Sequence, residues 1–507
     1  MIDPHHLPDD QKVLKEMIVA LLNRVQEGER KLAQTNHLLE QLLRAKYGPK
    51  GERLDPDQMA LFDAPKEEPE AAPAAEAEAV ASLDTPKDDA KTKGHGRRQQ
   101  PAEMERRRVE YDLAEHERNC PHCQAAMRRI GEDTSETLEF IPASVVVIEH
   151  IQAKYACAHG CTIRTAAKPA QPVDRGLAGP GLLAHVVVNK FADHLPLHRQ
   201  EGILARYGIE LSRQTMCDWM RSAAGLLEPL WMRMKGKVLE SAVIQTDDTP
   251  VAVLDRKLSK TRTGRTWTYL GDRTRPYTVY DYTPTRKRDG PQQFLGEYDG
   301  FLQADAYAGY DCLYGPQRAT EVACWAHSRR KFFEARTTDA ARAYRVLAMI
   351  QILYRIERAA RKAELKPSGV RKLRQRQAAP IVAALGDYLR QEADKVLPKS
   401  PIAQAIGYAL NHWGALNVYL SDGRLNIDNN ASERSLRGVA VGRRNWMFFG
   451  SDRGGKTAAV LLSIVETCRR HRIDPFAYLR DIFRRIAGHP INRIDELLPG
   501  NWAPLPA

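Results

Sequence analysis

The sequence predicts a multidomain α/β protein in which a mixed sheet carries acidic residues at strand ends and an all-α segment interrupts the sheet-forming part of the chain. Three observations lead there. A run of β patterns opens at "SAVIQTDDTPVAVLD" and closes at "GFLQADAYAGY", helical spacing holds from about Ala340 to Asn417, and four of the eight cysteines cluster far upstream. With 507 residues, 43% of them hydrophobic, the chain can bury several cores, and disorder is excluded for most of its length. A formal net charge of +12 favours an anionic partner. No apolar run approaches the roughly 20 residues of a membrane span. The N-terminus "MIDPHHLPDD" has no cationic lead into an apolar stretch. A nucleic acid, DNA or RNA, as the anion, a cytoplasmic location and no membrane partner are the expectations.

From the N-terminus, alternating steps of four and three pick out Leu14, Ile18, Leu21, Val25, Gly28, Leu32, Thr35, Leu39 and Leu42. That seam predicts a coiled-coil helix within residues 1–62, and with it a homodimer or higher oligomer. Residues 63–108 turn first to Ala, Pro and acidic side chains and then to a basic run, the composition of a flexible linker. Arg97 and Arg98 in that run are candidates for phosphate contacts, or simply a solvated tail.

Residues 109–175 hold "CPHC", with Cys120 and Cys123, and "YACAHGC", with Cys157 and Cys161. In a reducing compartment paired cysteines suggest a structural Zn²⁺ rather than disulfides, hence a small zinc ribbon. The second pair is spaced by three residues, so His122 or His159 could replace one sulfur. Residues 176–238 are patterned as a helix, a turn at "YGIEL" and a second helix begun by an N-cap at Ser212. This resembles a helix-turn-helix, with Arg213 and Gln214 where groove contacts usually sit.

The catalytic core is predicted in two parts, 239–338 and 425–472. Its first strand, around Ala242, Val243 and Ile244, is expected to end at Asp247 and Asp248. Two more strands ("RTWTYLGD", "RPYTVYDYTPT"), a short helix ("GPQQFLGEY") and a fourth strand ending at Asp305 follow. If the first and fourth strands are neighbours, Asp247 and Asp305 converge. Glu433 lies in an apparent helix start within "DNNASERSLRGVAVGRRNW", with Arg434, Arg437, Arg443 and Arg444 close by. Two aspartates from strand ends and a glutamate from a later helix form the constellation of ribonuclease-H-like polynucleotidyl transferases. Such enzymes use carboxylates because two hard Mg²⁺ (or Mn²⁺) ions must be held. Asp247 would bridge the two, and Asp305 and Glu433 would complete their shells.

Nearly the whole chain then resembles the large DDE-type transposase of the insertion-sequence-66 group. "YGPKGERLDPDQMALF", "CPHC", "GEDTSETLEFIPASVVVIEHIQAKYAC", "QTDDTPV", "QADAYAGY", "CWAHSRRKFFEA", "NNASERSLRGVAVGRRNWMFFGS" and "DPFAYLRDI" are similar to that family's blocks, in its order. Gly51 stands where the family usually has serine, and the spacer before Cys161 departs from its pattern. The resemblance implies catalytic residues Asp247, Asp305 and Glu433 and a ribonuclease-H-like core. It also implies double-stranded DNA as the partner and a nucleoid-associated location, hydrolysis at the transposon's terminal repeats, transfer of the freed 3′ hydroxyl to target DNA, and small accessory proteins as further partners. The rivals are a non-catalytic DNA-binding regulator and a nuclease on the same core.

The segment 339–424 reads as an all-helical insertion, with Val346, Met349, Ile350, Leu353 and Ile356 at helical spacing. His327, Arg329 and Arg330 precede it, the arginines as DNA-contact candidates and His327 near the chemistry by resemblance. "GSDRGGKT" at Gly450–Thr457 fits a nucleotide-binding loop, and "RRNWMFF" before it could supply the strand such a loop follows. The remaining chain, including the C-terminal tail 473–507, reads as helix without the further parallel strands a nucleotide domain needs. The match is therefore taken as chance, with Lys456 left as a DNA-phosphate contact.

Overall fold

The computed structural model describes residues 147–148, 154–156, 163–165, 171–173, 176–255 and 257–504. The expected coiled coil, the linker with Arg97 and Arg98, and Cys120, Cys123, Cys157, Cys161, His122 and His159 lie outside the described residues. Two short strands, β1 (Lys154–Ala156) and β2 (Ile163–Thr165), pair antiparallel. They directly precede and follow the segment holding Cys157 and Cys161 in the sequence.

Three helices come next, α1 (Pro180–Phe191), α2 (Leu197–Ala205) and α3 (Arg213–Leu239). Proline at the first turn of α1 suits a position whose N–H has no helical partner. The Ser212 side chain caps α3 by accepting from the Thr215 N–H at 3.1 Å, as the sequence predicts. Gly208, at φ 76°, makes the turn before it. The apolar face of α3 runs from Met216 through Trp219, Met220, Leu227 and Leu230 to Val238, and it is buried in the same core as the main sheet.

That sheet has the order β5-β4-β3-β6-β7. Its central strand β3 (Val243–Val253) pairs antiparallel with β4 (Arg262–Leu270), which pairs antiparallel with β5 (Thr278–Thr283). The short helix α4 (Asp289–Leu295) leads to β6 (Phe301–Ala304), parallel to β3, and β7 (Thr320–Ala323) lies parallel beyond it. The first and fourth strands are therefore neighbours, with Gln245 opposite Gln303.

The structure departs from the sequence pattern in two places. The first strand does not stop at Asp247 but continues to Val253, because "TPVAV" carries on the ladder with β4. Beyond Gln245 no residue of β3 pairs with β6, so Pro250 sits where one side of the strand is open. "RRNWMFF" is not a strand: a helix over Asn430–Trp446 takes in its first four residues, and Phe449 alone makes a bridge to Val253. β7 was not expected at all, its pattern "TEVA" being too short to stand out from its surroundings.

From β7 the chain enters α5 (Trp325–Ala335) and then the helical insertion. This comprises α6 (Ala340–Lys362), α7 (Pro367–Leu373), a π-helical segment at Arg374–Ala378, α8 (Ala379–Ala393), α9 (Pro401–Asn411) and α10 (Trp413–Asn417). Val346, Ile350, Leu353 and Ile356 are buried as their spacing predicts, in a second core that also takes in Trp325 and Phe332 of α5. The chain returns through α11 (Asn430–Trp446), α12 (Asp452–Arg470) and α13 (Pro475–Arg485). α12 lies on β5, where Ser463 and Thr467 accept hydrogen bonds from the backbone N–H of Tyr280 and Thr278 at 2.7 and 3.1 Å.

One glycine of "GSDRGGKT", Gly455, has a packing explanation. Ser451 caps α12 through Gly454, and a Cβ on Gly455 would lie 2.5 Å from the Tyr282 ring. The segment is the first turn of a helix pressed on the sheet. No helix among the described residues is long and apolar enough to cross a membrane.

Candidate active site

Asp247 lies inside β3, opposite Thr268 of β4 and two residues past Gln245, the last residue of β3 that pairs with β6. Asp305 directly follows β6. Glu433 sits in the first turn of α11, whose start is fixed to β3: the Ser432 hydroxyl lies 2.7 Å from Asn429 O and 3.4 Å from Thr246 O. A second tie runs across the sheet, since Gln245 donates to Gln303 at 3.0 Å and Gln303 donates to Asn426 O at 2.7 Å. Three acids distant in sequence are thus brought near one another by a parallel strand pair and a helix docked on it.

Their electrostatics register the approach. Burial, then repulsion from Asp305, then from Glu433 and Asp248, push the Asp247 carboxyl up to about 8, against a single lowering contact from the Asp248 N–H at 2.7 Å. The second aspartate of the "DD" doublet has a different environment. The Asp248 side chain is 2% exposed and is held by Arg265 at 2.8 Å and by two nitrogens of Arg286 at 3.1 and 2.8 Å. Arg286 also stands 3.7 Å from Asp305, stacks 4.0 Å above the Tyr307 ring, and its carbonyl accepts from the Tyr307 hydroxyl. Arg265 and Arg286 do not stand out in the sequence: Arg265 lies two residues from Trp267, the cross-strand partner of Asp248, and Arg286 lies just past the end of β5.

His327, in the first turn of α5, has Nε2 3.6 Å from Glu433 Oε1. Burial lowers its pKa and outweighs Glu433 and Asp305, so the ring is neutral near pH 7. Among the described residues its Nδ1 is buried without a hydrogen-bond partner, as are both amide atoms of Asn429.

The other predicted residues scatter. Arg434, Arg437 and Arg444 are exposed along α11, whereas Arg443 is tied to β3 through Thr249 Oγ1 at 2.8 Å and Pro250 O at 2.7 Å. Arg330 is exposed, but Arg329 is 6% exposed, with its guanidinium 5.7 Å from the Phe333 ring centre. Arg213 is exposed and paired with Glu201 at 3.4 Å, and Gln214 donates to Asp218. Lys456 is exposed on α12.

The donor set, carboxylates whose charges bear on Asp247, is of the oxygen type that a hard divalent cation takes. Among the described residues no three His, Cys, Asp or Glu side chains close tightly enough to hold an ion unaided. Magnesium is ordinarily bound by one or two carboxylates together with waters and substrate phosphate oxygens, so an open set of this kind fits it.

Comparison with known proteins gives the family. Residues 175–457 match the description "Transposase IS66 family". The chain belongs to the IS66 transposase family. Flanking segments match further parts of such transposases: 117–160 the "zinc-finger binding domain of transposase IS66", 463–499 the "IS66 C-terminal element" and 34–109 "Transposase C of IS166 homeodomain". The zinc-finger match stops one residue short of Cys161. Three Sinorhizobium fredii (strain NBRC 101917 / NGR234) proteins are similar to this transposase, each called uncharacterized. Protein y4hP is 35% identical over 426 residues, covering 79% of this chain and 76% of its own length. Proteins y4jD and y4qI are each 35% identical, over 403 residues (76% and 78%) and 392 residues (74% and 72%).

Proposed function

We propose that this IS66-family chain is a DDE transposase, cleaving DNA at transposon ends and transferring the freed 3′ end to target DNA. The observation that carries the reading is the Asp247 carboxyl, raised to about 8 by burial and by Asp305 and Glu433 arriving from two other elements. A buried acid with two acidic neighbours is unfavourable to ionise unless a multivalent cation is meant to sit among them. The mixed sheet supports a ribonuclease-H-like core, since it sets Asp247 on the central strand beside the parallel strand that delivers Asp305.

Asp247, Asp305 and Glu433 would hold two Mg²⁺ or Mn²⁺ ions, which supply activation of the attacking oxygen and stabilisation of the leaving one. Asp248 with Arg265 and Arg286 would keep β3 and the Asp305 loop in register, and neutral His327 would limit the directions open to Glu433. Arg434, Arg437 and Arg444 would neutralise phosphates of the bound duplex. A structural Zn²⁺ on Cys120, Cys123, Cys157 and Cys161, and self-association through residues 1–62, complete the reading.

The test incubates the full chain and its Glu433→Gln variant with Mg²⁺ and a plasmid carrying the DNA that flanks its own gene, and maps strand breaks. Metal-dependent breaks at the repeat ends by the unmodified chain alone, with joined products, are expected. Breaks that never lead to joining would make it a nuclease. Specific binding with no break under any metal would make it a regulator.

A further inference from the structure

The α11 helix carries more than Glu433. Along its exposed side lie Arg434, Arg437, Val441 and Arg444, at steps of three, four and three, a single stripe that begins beside Glu433. Arg437 and Arg444 make no ion pair or hydrogen bond among the described residues, so their charge is free for a polyanion.

At the end of the stripe the chain turns abruptly. Met447 has φ 61° and ψ −48°, and the Phe448 N–H donates to Trp446 O at 2.7 Å, a three-residue γ-turn of the rare positive-φ kind. Methionine gains nothing from this conformation, which is ordinarily left to glycine or asparagine. The turn is held from both sides. Behind it the Trp446 ring stacks on Phe449 at 4.6 Å, and ahead of it Phe449 exchanges backbone hydrogen bonds with Ala252 and Leu254 of the β3 end, both at 2.8 Å. What the strain achieves is display: Met447 is 67% and Phe448 39% exposed, two large apolar side chains projecting at the tip of an arginine-lined helix, with Val441 49% exposed in the stripe itself.

We propose that Met447 and Phe448 form a wedge that enters the stack of a DNA duplex lying along α11 and kinks it. This rests on the DNA-cleaving reading above. Charge selects the occupant: an apolar partner surface would leave Arg437 and Arg444 unpaired, whereas a duplex offers phosphates to the arginines and base steps to the wedge. Methionine and phenylalanine are among the side chains that unstack base pairs and bend DNA by about 20–90°. Met447, the residue that follows α11, is 14 residues from Glu433, about 21 Å at a rise of about 1.5 Å per residue. At about 3.4 Å per base pair, the unstacked step falls about six base pairs from the scissile phosphate.

The test uses the full chain with circularly permuted duplexes taken from the DNA flanking its gene, reading the bend from gel mobility and locating unstacking with 2-aminopurine moved stepwise along the site. The variant is Met447→Asn with Phe448→Ser, asparagine being chosen because it accepts positive φ; Phe448→Ser alone serves if the double variant melts early. The expected result is a bent complex with a several-fold rise in 2-aminopurine fluorescence at one step for the unmodified chain. The variant should bind within about threefold of the same affinity but leave the duplex straighter and the fluorescence low. Equal bending by both, or a straight complex with the unmodified chain, overturns the wedge while leaving the cleavage reading intact. A variant that loses a dimer by light scattering with bending unchanged overturns it in favour of a subunit contact. Failure of the unmodified chain to bind these duplexes at all overturns both readings together, and Arg437→Ala with Arg444→Ala separates the cases by weakening binding without selectively removing the bend.

Discussion

Replacing Asp247 with Asn should make the metal-free protein more stable at neutral pH and remove its response to magnesium. The folded carboxyl sits at about 8, through burial and the charges of Asp305 and Glu433, whereas in the unfolded chain an aspartate ionises near about 4. Between those values the native state keeps a proton that the unfolded state has released. Stability from this group is therefore full below about pH 4 and is lost as pH rises towards about 8, at up to about 1.4 kcal/mol per unit. Between pH 5 and 7 that amounts to at most about 2.7 kcal/mol, and asparagine, which does not titrate, carries none of it.

At roughly 2 °C per kcal/mol for a domain of this size, the gap in Tm between variant and unmodified chain should widen by about 5 °C from pH 5 to pH 7 in a chelator. With 10 mM Mg²⁺ and a site of about 1 mM affinity, the unmodified chain should regain about 1.4 kcal/mol at pH 8, and the variant nothing. Differential scanning calorimetry across pH, with and without Mg²⁺, checks both halves. A gap that stays constant from pH 5 to 7, or magnesium raising both proteins equally, would show that Asp247 is neither crowded by the other acids nor part of a cation site.

Arg286→Ala leaves Asp248 with Arg265 alone and removes the guanidinium 3.7 Å from Asp305. It should cost about 1–3 kcal/mol in urea unfolding and reduce strand cleavage at least about tenfold with DNA affinity little changed, while Arg286→Lys, lacking the planar fork, restores only part of it. Gly455→Ala drives a methyl into the Tyr282 ring and should destabilise by about 1–3 kcal/mol, whereas Lys456→Ala should be neutral. ATP should raise the Tm of none of these proteins, and a nucleotide-dependent rise abolished by Lys456→Ala would restore the phosphate-loop reading.

What the sequence made legible was local. Ser212 as an N-cap, Glu433 in a first helical turn and the apolar spacing of α6 depend on neighbours a few residues away, and all three are found as expected. Asp305 at the end of a strand belongs with them. The strand carrying Asp247 was read too short because "DDTP" looks like a turn, and only pairing with β4, some 20 residues on, keeps it extended. Arg286 and Arg265 could not be ranked above the other basic residues, since what distinguishes them is an unexposed carboxylate supplied from another strand. "GSDRGGKT" failed in the opposite way: a local pattern was complete, yet the reason for one of its glycines is the face of Tyr282.

The helical insertion answers a demand that the acidic site creates. Three carboxyls whose charges repel need a frame that does not relax, and the loop entering α11 is the part of that frame the insertion reaches. Arg374, in the π-helical segment, is fully enclosed. It donates to both oxygens of Glu357, at 2.7 and 2.8 Å, and to the carbonyls of Tyr419, Asp422 and Leu425, at 2.7, 2.9 and 2.9 Å. All five of its N–H groups are thereby used, two on a paired charge and three on the backbone that leads to Glu433. Trp325 adds a second clamp, its N–H on Ile427 O at 3.1 Å and its indole on Leu416 O at 2.8 Å. Breaking a buried pair of this kind costs about 3–5 kcal/mol because a charge is left without its partner. The insertion therefore bears on the site through the backbone: it fixes where α11 starts, and with it both the glutamate at one end of that helix and the arginine stripe along its length.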